Sequence, residues 1–277
     1  MGQNQIDTRK FSMSETSKTL QRAIQLMDCF TRETPQLGVR EAARLCGLSS
    51  STTGRMLASL RDLGLLVQNP ENHQYSLAGK VLSWAEVYSA SVDVRTLAQP
   101  YIFDLQRATG ETISLYIMEG NQRVCVERLE SEQNVRVVAR VGRHLPLYAG
   151  SAGKLFLAYL EHDDRQQLLE SAELESFTPQ TITSIEELHR QAEIIRQKGY
   201  SISHGEWTID ASGVAAPIFN QRGTVIAALT ISGPTQRFDE ARVERFSKSA
   251  TNTANHISRL LGYSPTQKRS PIQMGRP

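Results

Sequence analysis

The chain has 277 residues, 39% of them hydrophobic, and a formal net charge of +2. That length predicts two domains, and no apolar run approaches the roughly 20 residues that a membrane span needs. Residues 1–17 are polar and lack the apolar core of a secretory signal, so they are expected to be a disordered leader on a cytoplasmic chain. Cys29, Cys46 and Cys125 are widely spaced and lie in apolar-periodic segments. No Cys-x-x-Cys pair or Cys/His cluster is present, which argues against a zinc site. Reduced, buried thiols are the expectation, with no metal and no cofactor.

Charge is unevenly placed. Residues 1–90 hold 10 Lys/Arg against 8 Asp/Glu, residues 91–262 hold 18 against 21, and residues 263–277 hold 3 against none. A basic front on an acidic middle fits a nucleic-acid-binding head on a body with another task.

In chain order, a first helix is expected over 18–32, with Leu20, Ala23, Ile24, Met27 and Phe30 at helical spacing and Ser17 as its cap. Pro35 and Gly38 end it. Residues 39–46 form a short helix, Gly47 breaks it, and a second helix runs over 49–60 with Met56, Leu57 and Leu60 as its buried stripe. Residues 65–68 and 74–77 read as two strands around the turn-rich segment 69–73. The pattern is a winged helix-turn-helix, whose second helix enters the DNA major groove by its N-terminal residues. A helical hairpin in an unrelated core is the blander explanation. The hairpin after the second helix and the hydroxyl-rich start of that helix favour the DNA reading.

Residues 78–90 are expected to be helical, with Val81, Leu82, Ala85 and Tyr88 on one face. A hinge follows at 89–93, then a helix carrying Leu97, Tyr101, Leu105 and Ala108 that Gly110 stops. From Thr112 the period switches to two. Strands are expected over 112–118, 124–128, 135–140, 200–203, 213–218 and 224–232. Helices are expected over 152–159, 163–169 and 185–198, and a last one carries Val243, Phe246, Ala250, Ala254, Ile257 and Leu261. Hairpins mixed with packed helices give an α+β class.

Residues 18–262 resemble the IclR family of bacterial transcription regulators. In the first domain the resemblance rests on Gly47-Leu48, Ser51-Thr52, Arg55 and Leu63-Gly64. In the second it rests on Val141-Gly142-Arg143, Leu145-Pro146, Ala149-Gly150-Ser151-Ala152-Gly153-Lys154, Lys198-Gly199-Tyr200, Val214-Ala215-Ala216-Pro217 and the run 227–234. It implies a winged helix-turn-helix domain over 18–80, a helical linker over 81–94 and a GAF-like effector-binding domain over 95–262, followed by a loose tail over 263–277. It also implies a homodimer, or a dimer of dimers, on a pseudo-palindromic operator. Three positions depart from the family pattern. Gly54 stands where a bulkier residue is usual. Ser203 and Gly213 stand where some members carry an acidic residue and a cysteine in the ligand pocket.

The candidate DNA contacts are Ser50, Ser51, Thr52 and Arg55 on the second helix, Arg40 and Arg44 on the first, and His73 in the wing. Arginine pairs with guanine or clamps a phosphate. Ser51 or Thr52 can equally be a helix cap. The candidate effector contacts are Ser151 and Ala152 at a helix start, which attracts anions, with Ser203, Gly213, Thr230 and Ser232. Thr230 and Ser232 alternate on one strand, so their hydroxyls face the same way; backbone bonding of those hydroxyls is the alternative. The implied effector is a small organic acid. No nucleophile elbow, Walker, zincin or dinucleotide motif occurs, and Glu206 and Asp210 near His204 read as a solvated acidic loop. The rival classes are an enzyme domain fused to a DNA-binding head and a ligand-independent adaptor.

Overall fold

The computed structural model describes residues 17–273 apart from 32, 92, 137–139 and 268. The chain divides into two compact units, Met1–Ser91 and Val92–Pro277.

In the first unit, α1 (Lys18–Asp28) stops earlier than periodicity implies. Thr34 takes over the backbone groups beyond it: its hydroxyl donates to the Cys29 carbonyl, and its N–H donates to the Thr31 hydroxyl. Such local side-chain bonding competes with helix continuation. Ser17 makes no side-chain cap bond. The buried face is rotated from the expected stripe. Leu26 is buried and Ala23, Met27 and Phe30 pack beside it, while Leu20 and Ile24 are 64% and 62% exposed.

β1 (Gln36–Leu37) leads into α2 (Val39–Cys46). Gly47, at φ +64°, lets the chain turn the corner, and the N–H of Leu48 closes on the Ala43 carbonyl at 3.0 Å. This is a left-handed C-terminal cap. α3 (Ser50–Asp62) starts at Ser50 because Ser49 is its cap, accepting the Thr52 N–H at 3.2 Å. Leu57 and Leu60 are buried and Met56 half-buried against them. β2 (Leu66–Gln68) and β3 (Tyr75–Leu77) form the wing, with β1 paired to β3 on the other side. A two-residue strand carries no period, so β1 was invisible in the sequence. α4 (Lys80–Ser91) continues through the start of the expected hinge; Leu82, Trp84 and Val87 are exposed on it. The side chains of Ala85 and Tyr88 lie outside the described residues.

In the second unit, α5 (Val94–Thr109) is stopped by Gly110 at φ +71°. Then follow β4 (Thr112–Glu119), β5 (Gln122–Leu129), β6 (His144–Pro146), α6 (Ser151–Tyr159), α7 (His162–Ser171), α8 (Ile185–Lys198), β7 (Ser201–His204), β8 (Ala211–Phe219), β9 (Val225–Pro234) and α9 (Glu240–Leu260). The six strands form one antiparallel sheet in the order β6-β5-β4-β9-β8-β7. One face packs on α6, α7 and α8, the other on α5 and α9. Of the strand expected over 135–140, Val135, Arg136 and Arg140 are irregular and 137–139 lie outside the described residues.

The described part of the expected loose tail is held. Ser270 bridges to Thr224, and Ile272 is buried beside Leu160 with its N–H on the Tyr159 carbonyl at 2.7 Å. Single-residue bridges leave no periodicity to read.

Gly54 is not explained by close packing. A Cβ there would meet only Val39 Cγ1, at 3.5 Å, an ordinary contact. Since glycine in a helix interior costs about 1 kcal/mol against alanine, Gly54→Ala should raise the stability of the first unit by ~0.5–1 kcal/mol. Urea unfolding of the full chain, followed through that unit's transition, checks this; a lowered midpoint would contradict it.

Candidate functional site

Two surfaces collect the sequence candidates. In the first unit, Ser50, Ser51 and Arg55 are exposed on α3, and Arg40 and Arg44 are exposed one turn apart on α2. Among the described residues no ion pair or hydrogen bond engages the guanidinium groups of Arg40, Arg44 or Arg55, whereas that of Arg61 is tied to Asp62 at 2.8 Å. Thr52 is half-buried and its hydroxyl accepts from Ser49 at 2.9 Å, so it serves the helix start. His73 is exposed in the wing loop at φ +58°. Side-chain oxygens of Asn69 and Asn72 accept the N–H groups of Glu71 and Gln74 and stiffen that loop.

In the second unit, Ser151, Ala152, Ser203, Gly213, Thr230 and Ser232 line one cleft of about 140 Å³. Strand pairing explains the meeting. Gly213 pairs with Ser232, Ser114 pairs with Thr230, and all lie on the α6 face of the sheet. Gly213 matters for its missing side chain: a Cβ there would stand 3.1 Å from Ser151 Oγ. The Thr230 hydroxyl donates to the Ser114 carbonyl at 3.2 Å. The backbone-bonded alternative therefore describes this threonine, and its proton is unavailable to a ligand.

The cleft also holds residues that the sequence reading missed, above all Arg123, Arg128 and Arg143. Arg123 and Arg128 are five apart on β5, which should place them on opposite faces. A bulge corrects the count: Leu115 pairs with Glu127 but Tyr116 with Cys125, leaving Val126 as the extra residue. Such a bulge flips the alternation, and both arginines reach the cleft. Arg128 faces Glu130 at 3.7 Å with its side chain 3% exposed. Arg143 lies over the Trp207 ring, 5.4 Å from its centre.

Arg123 is buried, and burial pushes its guanidinium down to about 10. Its Nη1 donates to the Ala149 carbonyl at 2.7 Å and to the Pro146 carbonyl, while its Nε has no partner among the described residues. Glu206 is not a solvated loop acid. It is 5% exposed, accepts the Gly150 N–H at 3.0 Å and pairs with the buried Lys154 at 2.5 Å. Thr178 and Thr181 fix the same loop by donating to the carbonyls of Gly205 and Glu206. Gly153 must be glycine, since a Cβ would come within 2.4 Å of the Leu147 carbonyl oxygen.

The N–H groups of Ser151 and Ala152, in the first turn of α6, take no partner among the described residues, as helix starts require of their first donors. The cleft lining thus combines three arginines, two free amides and the hydroxyls of Ser151 and Ser232, and contains no carboxylate. Among the described residues no group of three His, Cys, Asp or Glu could hold a metal ion, and no helix is long and apolar enough to cross a membrane.

Comparison with known proteins agrees with this division. Residues 19–70 match the model of the IclR helix-turn-helix domain, and residues 86–259 match that of the bacterial transcriptional regulator IclR C-terminal domain. The transcriptional regulator XynR of Escherichia coli K12 is 33% identical over 246 residues, covering 89% of this chain and 98% of XynR. KdgR of the same organism is 33% identical over 231 residues, covering 83% of this chain and 88% of KdgR. Among solved structures, Thermotoga maritima IclR aligns with a TM-score of 0.60 at 29% identity, covering 88% of this chain and 99% of that one. Pseudomonas aeruginosa HmgR aligns with a TM-score of 0.76 at 25% identity, covering 90% and 100%.

Proposed function

Because the chain belongs to the IclR family of bacterial transcription regulators, we propose that a small organic acid, bound in the cleft at the start of α6, sets its affinity for a pseudo-palindromic operator. The observation that carries this reading is the lining of three arginines without a carboxylate. Arg123 is the buried member of the three and bonds only backbone carbonyls; a buried cation is stabilised by an anion beside it, and the amides of Ser151 and Ala152 point the same way. The acid regulates only if it binds the DNA-competent and DNA-incompetent states with different affinity.

The enzyme alternative is weaker on geometry. Ser212 lines the cleft and lies 3.1 Å from His204 Nδ1, but its hydroxyl donates to Thr235 at 3.0 Å. His204 is then the donor to Ser212, so it does not draw a proton from that serine as an activating base must.

On the head, we assign DNA contact to Arg55 with Ser50 and Ser51, and backbone contact to Arg40, Arg44 and His73. Arg55→Ala should cost about 1–3 kcal/mol of specific operator binding without unfolding the chain. A mobility-shift titration with unchanged affinity would remove Arg55 from the interface.

One recognition helix reads too few bases for specificity, so the working form is a homodimer or a dimer of dimers. Exposed Leu20, Ile24, Leu82, Trp84 and Val87 supply apolar surface in the head for such assembly. Light scattering at micromolar concentration should give a dimer or tetramer mass; a monomer both with and without DNA excludes this form.

For the cleft, a panel of small mono- and dicarboxylic acids should give at least one thermal upshift. The double variant Ser151→Ala with Ser232→Ala should weaken that acid by about tenfold or more, since charge-assisted hydrogen bonds are worth ~1.5–3 kcal/mol each. Calorimetry reads the affinity. Wild-type binding by the double variant would place the acid elsewhere.

A further inference from the structure

Cys29 is the cap residue of α1 and Cys46 the last residue of α2. Their Sγ atoms stand 3.2 Å apart, and both are half-buried rather than sealed in the core. Both thiols also lie near the Gln25 carbonyl, at 3.2 and 3.6 Å. We propose that these two cysteines form a reversible disulfide that acts as an oxidant-responsive switch on the DNA-binding head. A disulfide has an S–S distance of about 2.05 Å, so closing it requires the two sulfurs to approach by only about an ångström. Cys125 is buried in the other unit and takes no part.

The chemistry is a two-electron oxidation by a hydroperoxide. One thiolate attacks the peroxide oxygen, forming a sulfenic acid and releasing an alcohol, or water from hydrogen peroxide. The second sulfur then attacks the first, forming the S–S bond, and its proton leaves with the hydroxyl as water. The net change is two thiols and one hydroperoxide to one disulfide, one alcohol and one water. Burial, the hydrogen bond with Cys29 and the neighbouring Cys29 and Asp28 charges push the Cys46 thiol up to about 11. The thiolate is the nucleophile; once one sulfur of the pair has been oxidised, the other stands 3.2 Å away to resolve it.

The bond acts where the head is aimed. Cys46 directly precedes Gly47, whose left-handed turn sets where α3 begins. Drawing Cys46 towards α1 moves that corner and, with it, Ser50, Ser51 and Arg55. The effect on DNA rests on the reading of the head given above; formation of the bond does not.

The test uses the full chain, reduced and then titrated with hydrogen peroxide, against a DNA duplex selected from a random pool on the reduced protein. Intact mass should fall by two hydrogens, with peptide mapping joining Cys29 to Cys46 and leaving Cys125 reduced. Affinity for the duplex should fall by about fivefold or more, the lower range of coupling between sites, and dithiothreitol should restore it. Cys46→Ser should bind the duplex normally, resist the loss, and accumulate a dimedone adduct on Cys29. Cys29→Ser, at the outer helix end, should resist it too and serves if Cys46→Ser fails to fold by circular dichroism. No cross-link in the wild type, or a cross-linked protein with unchanged affinity, overturns the switch. Cross-linking without any duplex binding in the reduced state would instead count against the DNA reading of the head.

Discussion

The body of this protein is organised around one buried carboxylate. Glu206 sits almost out of solvent, and an ionised carboxylate there is tolerated only when paired and hydrogen-bonded. Lys154 supplies the charge and the Gly150 N–H the bond. That requirement joins the 205–211 loop to the start of α6, and the cleft lies where they meet. It also demands small residues. Gly150 adopts φ +81°, and Gly153 lies against the Leu147 carbonyl and Arg123 with no room for a Cβ. Removing one member of a buried pair leaves the other uncompensated at a cost of ~3–5 kcal/mol. Glu206 is therefore a structural acid, and it already holds the Gly150 amide at that helix start. Of the amides lining the cleft, those of Ser151 and Ala152 are left for the proposed anion.

Positive charge balances differently. Lys154 is matched by Glu206, but Arg123 gives its Nη1 to backbone carbonyls. Carbonyl dipoles satisfy donors without cancelling a charge. On the proposed reading an anionic ligand in the cleft would supply what they do not, so that ligand binding and relief of desolvated charge would be one event. The same point bears on the departures at Ser203 and Gly213. With no acid at 203, nothing in the lining opposes a second negative group on the ligand, and Gly213 leaves Ser151 Oγ free to turn inward.

Legibility in the sequence followed the range of each signal. The head was readable because its information is local: a 3.6-residue stripe, a glycine corner, a serine cap and a strand pair around a turn. It failed where hydroxyls overrode the pattern, at Thr31 and Thr34, and where a strand had two residues. In the body, alternation brought Thr230 and Ser232 together correctly. Alternation also hid Arg128, because one extra residue at Val126 reverses the face and no local signal marks it. Glu206 was misread since its partners, Lys154 and Gly150, lie 52 and 56 residues away. The acidic loop looked solvated only while its long-range contacts were unknown.

On the proposed reading both surfaces meet anions, by opposite means. In the head, Arg40, Arg44 and Arg55 stand exposed and unpaired among the described residues. A DNA polyanion brings its own counterions, and their release supplies much of the affinity when such side chains replace them. Surface cations are cheap to keep and strongly screened by salt. In the body, Arg123 and Arg128 are withdrawn from solvent on a fixed strand. Charges there are weakly screened and held in place, so a small acid bound as proposed would be selected by its geometry rather than by charge in general. Exposure suits a partner that must be scanned along its length. Burial suits a ligand that must be told apart from other small acids. The fold supplies the first from two helices around Gly47 and the second from a bulged strand facing a glycine-rich helix start.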